Sequence, residues 1–118
     1  MRQDGCMTKV DRALALGNAT IALANSNNPE LLANGVRTSL QWFADQNPGR
    51  AVEVRVPPFL AVQILGGTTH RRGTPPAVVE MSSQTWLELF TKKLNWADAV
   101  STGKIAASGE RSDLSELL

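Results

Sequence analysis

Residues 51–65 read Ala-Val-Glu-Val-Arg-Val-Pro-Pro-Phe-Leu-Ala-Val-Gln-Ile-Leu, and this stretch decides the fold class. Val52, Val54 and Val56 alternate with Glu53 and Arg55, the period-two pattern of a strand with one apolar and one wet face. Pro57-Pro58 interrupts it, because proline has no N–H to give to a central ladder. Phe59 to Leu65 follows as a second strand. It is apolar on both faces apart from Gln63, so it is expected to be covered on both sides or to line a cavity. Gly66-Gly67 turns the chain, residues 68–76 make a polar loop with His70, Arg71, Arg72 and Gly73, and Ala77 to Met81 is a third, short strand.

Helical patterns lie on both sides of this cluster. Upstream, Thr8 and Asp11 read as a capping box. Val10, Leu14, Gly17, Ile21 and Ala24 then recur at helical spacing as one apolar stripe. After the polar stop Asn25-Ser26-Asn27, Asn28 caps a second helix with Pro29 at its first position and Glu30 near the positive end of the dipole. Leu32, Val36, Leu40 and Phe43 form its buried face, and Asn47-Pro48-Gly49 ends it. Downstream, Ser82 or Ser83 caps a helix with the broad apolar face Trp86, Leu87, Leu89, Phe90 and Leu94. Asn95 and Asp98 start a short helix carrying Trp96, Ala97, Ala99 and Val100, which stops at Gly103. Ile105 to Ser108 is a candidate fourth strand. Ser112 with Asp113 caps a last turn carrying Leu114, Leu117 and Leu118. Two helices, a strand cluster, then helix–helix–strand–turn argue an α+β fold with an antiparallel or mixed sheet.

The chain has 118 residues, 42% of them hydrophobic, 19% charged and 5% aromatic. One domain is the size expectation, and folding buries roughly two thirds of the unfolded surface at this length. Twelve basic against eleven acidic side chains leave a net charge of +1, which argues against an electrostatic nucleic-acid binder. The lone cysteine, Cys6, excludes an internal disulfide and a Cys-rich zinc site, and the lone histidine, His70, excludes a His-based metal cluster. No secretory signal or membrane-spanning run is visible, so a reducing cytoplasm is the expected setting.

Catalytic signals are sparse. No phosphate-cradling glycine motif occurs, and no pair of carboxylates has the spacing of an acid–base dyad. Ser82 or Ser83 with His70 and Glu80 is the formal triad, without a nucleophile elbow. The His70-Arg71-Arg72 loop has the chemistry to grip an anion such as a phosphate or lipid headgroup, and is equally read as a solvated hairpin. Glu80 is placed to pair with one of these arginines across strands. Trp86 and Phe90 are read either as core or as the roof over Leu60, Val62 and Ile64, with an elongated apolar ligand between the layers.

These residues resemble a known family. Val52-Glu53-Val54-Arg55-Val56-Pro57-Pro58 with Ala61-Val62-Gln63, and His70-Arg71-Arg72-Gly73-Thr74-Pro75-Pro76 with Val78-Val79-Glu80, look like the bacterial branch of the sterol carrier proteins. The C-terminal half is similar to the wider family in Trp86, Lys93-Leu94, Trp96-Ala97-Asp98-Ala99-Val100, Gly103-Lys104-Ile105, Ala107-Ser108-Gly109 and Ser112-Asp113-Leu114. The resemblance covers residues 31–118. Where the family often has glycine before the basic residue, this chain has Lys92.

The resemblance implies about five strands in a mixed sheet backed by helices, with an apolar tunnel between the layers; eukaryotic members hold sterols and fatty acyl chains there. On this reading residues 1–118 are one domain, with residues 1–28 as an N-terminal helical extension. The expected function is non-enzymatic binding or carriage of a lipid, fatty acid or other hydrophobic small molecule, with no cofactor or metal. Leu60, Val62, Ile64, Val79, Trp86, Leu89 and Phe90 would line the tunnel, and His70, Arg71 and Arg72 would meet the headgroup. The alternative is a protein–protein interaction or accessory module without ligand, and a homodimer is a further expectation.

Overall fold

In a computed structural model of the chain, residues 11–65, 77–109 and 112–118 are described. Asp11 caps the first helix, α1 (Arg12–Ala24), its Oδ1 accepting the Leu14 N–H at 2.7 Å. This corrects the capping box expected from Thr8 and Asp11: Asp11 has extended backbone at φ −87° and ψ 168° and is itself the cap, so it is not the third helical residue, and Thr8 lies outside the described residues. Asn28 caps α2 (Pro29–Gln46) as its sequence requires: Oδ1 accepts the N–H groups of Glu30 at 3.0 Å and Leu31 at 3.1 Å.

The strands β1 (Val52–Val56), β2 (Leu60–Ile64), β3 (Ala77–Met81) and β4 (Ile105–Ser108) form one mixed sheet in the order β2-β1-β3-β4. β1 pairs antiparallel with β2 and parallel with β3, and β3 pairs antiparallel with β4. About five strands were expected; four are present among the described residues. The loop 66–76 lies outside the described residues. Between β3 and β4 run α3 (Ser83–Phe90), capped by Ser82, and α4 (Trp96–Ser101), capped by Asn95. Gly109, at φ +92°, ends β4 where a Cβ would sit 2.9 Å from the Ala77 Cα, so only glycine fits there.

The register puts Val52, Val54 and Val56 on one face with Leu60, Val62, Ile64, Ala77, Val79 and Met81. This face meets the helices and holds the core. The opposite face is wet, carrying Arg55, Ala61, Gln63 and Glu80. The expectation that the second strand is covered on both sides is thereby corrected. β2 is a sheet edge with helices on one face only, and Ala61 and Gln63 are exposed.

A second correction concerns α1. Its expected apolar stripe faces outward: Leu14 is 51% and Ile21 47% exposed, while Ala15, Ala19 and Ala22 are buried. The cause is close helix–helix approach. A Cβ on Gly35 of α2 would lie 2.4 Å from the Ala22 Cβ and 2.8 Å from the Asn18 carbonyl oxygen. Only small side chains fit such a contact, so Ala15, Ala19 and Ala22 turn inward and Leu14 and Ile21 turn out, with Leu16 and Leu23 half-buried against the core.

Candidate functional site

The apolar layer between sheet and helices is built mainly by α2 and α3. Helical spacing on α2 directs Val36, Leu40 and Phe43 inward, and α3 does the same with Trp86, Leu87, Leu89 and Phe90. Trp86 is the hub. Its ring meets Phe43 edge-on at 5.3 Å and stacks with Phe90 at 5.5 Å, and Phe90 meets Trp42 edge-on at 5.8 Å. The indole Nε1–H donates to Ser39 Oγ at 2.8 Å, and the Ser39 hydroxyl donates to the Gly35 carbonyl at 2.6 Å. Both Ser39 and Trp86 are fully buried, so this chain of hydrogen bonds satisfies an indole that water does not reach.

The expected lining set is assembled in one core, with unequal burial. Ile64, Val79, Trp86 and Leu89 are fully or almost fully buried, Phe90 lies at the margin, and Leu60 and Val62 are half-buried on the edge strand. α2, rather than α3, lies against β2. Leu40 and Phe43 of α2 are buried in the same core. His70, Arg71, Arg72 and Cys6 lie outside the described residues.

Depressions lined by described residues occur elsewhere. A wide, open one of about 600 Å³ sits at the turn from α1 to α2, between Ala24 and Glu30. Its polar donors at the α2 start are already taken by Asn28. A narrower groove of about 100 Å³ lies where α1, α2, the end of α3 and the last turn meet. Leu16, Trp42, Phe43 and Phe90 supply apolar walls, Arg12 and Lys92 supply cations, and Leu117 and Leu118 fill one side. Lys92 Nζ donates to the Leu118 main-chain oxygen at 2.9 Å. Sequence reading missed Arg12, Trp42 and Lys92 as neighbours. The available signal was Lys92, a lysine where glycine is common, and it holds φ +67°.

The polar groups considered for chemistry are engaged structurally. Ser82 Oγ accepts the Thr85 N–H at 3.2 Å as a helix cap. Glu80 lies 3.9 Å from Arg55, and Arg55 Nε donates to Glu53 at 2.9 Å on the wet face of the sheet. The hydrogen bond to Glu53, then its charge, raises the Arg55 pKa further above its ordinary value, with Glu80 adding to it. Among the described residues no cluster of three His, Cys, Asp or Glu side chains is placed to hold a metal, and no helix is long and apolar enough to cross a membrane.

A search of curated proteins finds no match. A family model described as bacterial SCP ortholog matches residues 28–118, which takes in every element from α2 to the last turn. Together with the α+β fold and its mixed sheet, the match establishes that the chain belongs to the bacterial branch of the sterol carrier protein family.

Proposed function

We propose that this chain binds and carries a hydrophobic small molecule, a lipid or fatty acyl chain, without transforming it. The observation that supports this above the others is the aromatic series Trp86–Phe90–Trp42. It runs from the fully buried layer to the half-buried wall of the groove and gives an apolar path between interior and surface. Membership of a carrier family supports the same reading. Each methylene removed from water along such a path contributes about 0.8 kcal/mol. The interior set of Leu60, Val62, Ile64, Val79, Trp86, Leu89 and Phe90 would then receive the far end of the ligand, with His70, Arg71 and Arg72 as further headgroup candidates. The proposal treats residues 1–118 as one domain with an N-terminal helical extension, working in the reducing cytoplasm without a cofactor.

Two measurements test it. Mass spectrometry of protein purified without detergent is expected to find a retained apolar molecule. Titration with an anthroyloxy-labelled fatty acid is expected to saturate at one site in the micromolar range. A protein that is empty and also leaves the probe unbound would defeat the carrier reading.

The second reading, an interaction module, is favoured by Leu14 and Ile21. They stand exposed two turns apart on the same side of α1. Their partner would be a second copy of the chain. Light scattering over a hundredfold concentration range, with Leu14→Ser/Ile21→Ser beside it, separates a dimer formed through this face from a monomer.

A further inference from the structure

Helix α1 differs from the other elements in how it is attached. The family-matched residues 28–118 carry every strand and the helices α2 to α4, and α1 is laid over them from outside that range. Its contacts fix where it lies. The Ala22 Cβ and the Asn18 carbonyl approach Gly35, Asn18 Nδ2 donates to Thr38 Oγ1 at 3.3 Å, and Arg12 and Leu16 border Trp42 and Phe90. Numbers fall along α1 as they rise along α2, so the two helices run antiparallel and Ala19 comes level with Thr38 and Ser39. α1 also packs on α3. It therefore roofs the seam where the fully buried Trp86 donates to the fully buried Ser39. The attachment is light. The fully buried residues of α1 are Ala15, Ala19 and Ala22, with Leu16 and Leu23 half-buried. Among the described residues, the Asn18–Thr38 bond is the one side-chain hydrogen bond from α1 to another element, and no ion pair joins it to one. Each helix is finished independently at the turn between them. Asn25 Nδ2 donates to the Ile21 carbonyl at 2.8 Å, Asn28 caps α2, and residues 25–27 are exposed.

From this arrangement we infer that α1 is a hinged cover. It swings on residues 25–27 and, when lifted, opens the α2–α3 seam at Ser39 and Trp86, by which an apolar guest reaches the layer beneath. The small-residue contact suits that part. Alanines bury little apolar area, so little is lost when α1 leaves, whereas large side chains in their place would hold it down. Close seating at Gly35 restores a sealed layer when α1 returns. The hinge is a property of the chain alone. Its role as a gate rests on the carrier reading and adds the means of entry to it.

Hydrogen exchange of the full chain tests the hinge. Amides of residues 16–24 are expected to exchange at least about tenfold faster than those of residues 36–43, because α1 opens while α2 stays folded. Stopped-flow binding of the anthroyloxy-labelled fatty acid tests the gate. Asn18→Cys/Thr38→Cys, made together with Cys6→Ser, ties α1 to α2 through a disulfide. The oxidised protein is expected to bind the probe at least about tenfold more slowly than the same protein reduced. Gly35→Ala pushes α1 off α2 and is expected to speed binding at least about twofold, with circular dichroism confirming the fold. A common exchange rate for the two helices overturns the hinge. Equal binding rates in the oxidised and reduced protein, or a Gly35→Ala protein at the parent rate, overturn the gate while leaving hydrophobic carriage standing. If no form binds the probe, the carrier reading and the gate fall together, and the hinge stands or falls on exchange alone.

Discussion

Ser39→Ala removes one oxygen from the centre of the helix layer. Trp86 Nε1–H then loses its acceptor, 2.8 Å away in the native protein, at a position where both partners are 0% exposed and water cannot substitute. An orphaned buried donor costs about 1–3 kcal/mol. Alanine's better helix propensity offsets about 0.5 kcal/mol of this. The net loss is about 1–2 kcal/mol, and a chain of this length should melt about 4–8 °C lower. Trp86→Phe behaves differently, because it removes the donor and leaves Ser39 its bond to the Gly35 carbonyl at 2.6 Å. Its loss of about 1–2 kcal/mol comes from the void left by the missing ring. The double variant has no orphaned group, so it should be about 1 kcal/mol more stable than the sum of the single effects. Urea titration followed by far-ultraviolet circular dichroism gives the four free energies without relying on tryptophan emission. Strict additivity, or a Ser39→Ala protein within about 0.3 kcal/mol of the parent, would show that the Ser39 hydroxyl does not hold the indole.

Lys92 sits at φ +67°, where a side chain costs about 1–2 kcal/mol that glycine avoids. Lys92→Gly gives part of this back through its freer unfolded state and is expected to stabilise by about 0.5–1 kcal/mol by urea titration. Gly35→Ala should do the reverse of its helix propensity. The new Cβ meets the Ala22 Cβ at 2.4 Å, so α1 must move off α2, at about 1–3 kcal/mol in thermal melts. Asp113 accepts the Ser115 N–H at 2.9 Å, and this backbone bond, with the Ser115 side chain, holds its pKa below the ordinary aspartate range. A lowered folded pKa means that the contribution is complete above an unfolded pKa of about 3.9 and is lost as pH falls through the folded value. Melts between pH 6 and pH 2 should therefore show a slightly shallower acid decline for Asp113→Asn than for the parent.

The parts of the fold legible in the sequence are those where local chemistry and tertiary packing agree. The alternation of β1 survives because one face is covered and the other is wet, and the caps at Asn28, Ser82 and Asn95 are side-chain-to-backbone bonds that need no distant partner. The expected stripe of α1 is overturned because its sequence offers two apolar faces, one with Leu14 and Ile21 and one with Ala15, Ala19 and Ala22 beside Leu16 and Leu23. Periodicity alone cannot say which of them packs. The deciding fact is Gly35 on the neighbouring helix, whose missing side chain admits the alanine face. β2 was misread for a related reason. Ala61 is apolar enough to suggest a covered face and small enough to be left exposed at a sheet edge. Most of the residues expected to line a tunnel share one core because they lie on strongly patterned elements. The groove was not legible in the sequence, since Arg12, Trp42, Lys92 and Leu118 meet only through tertiary packing.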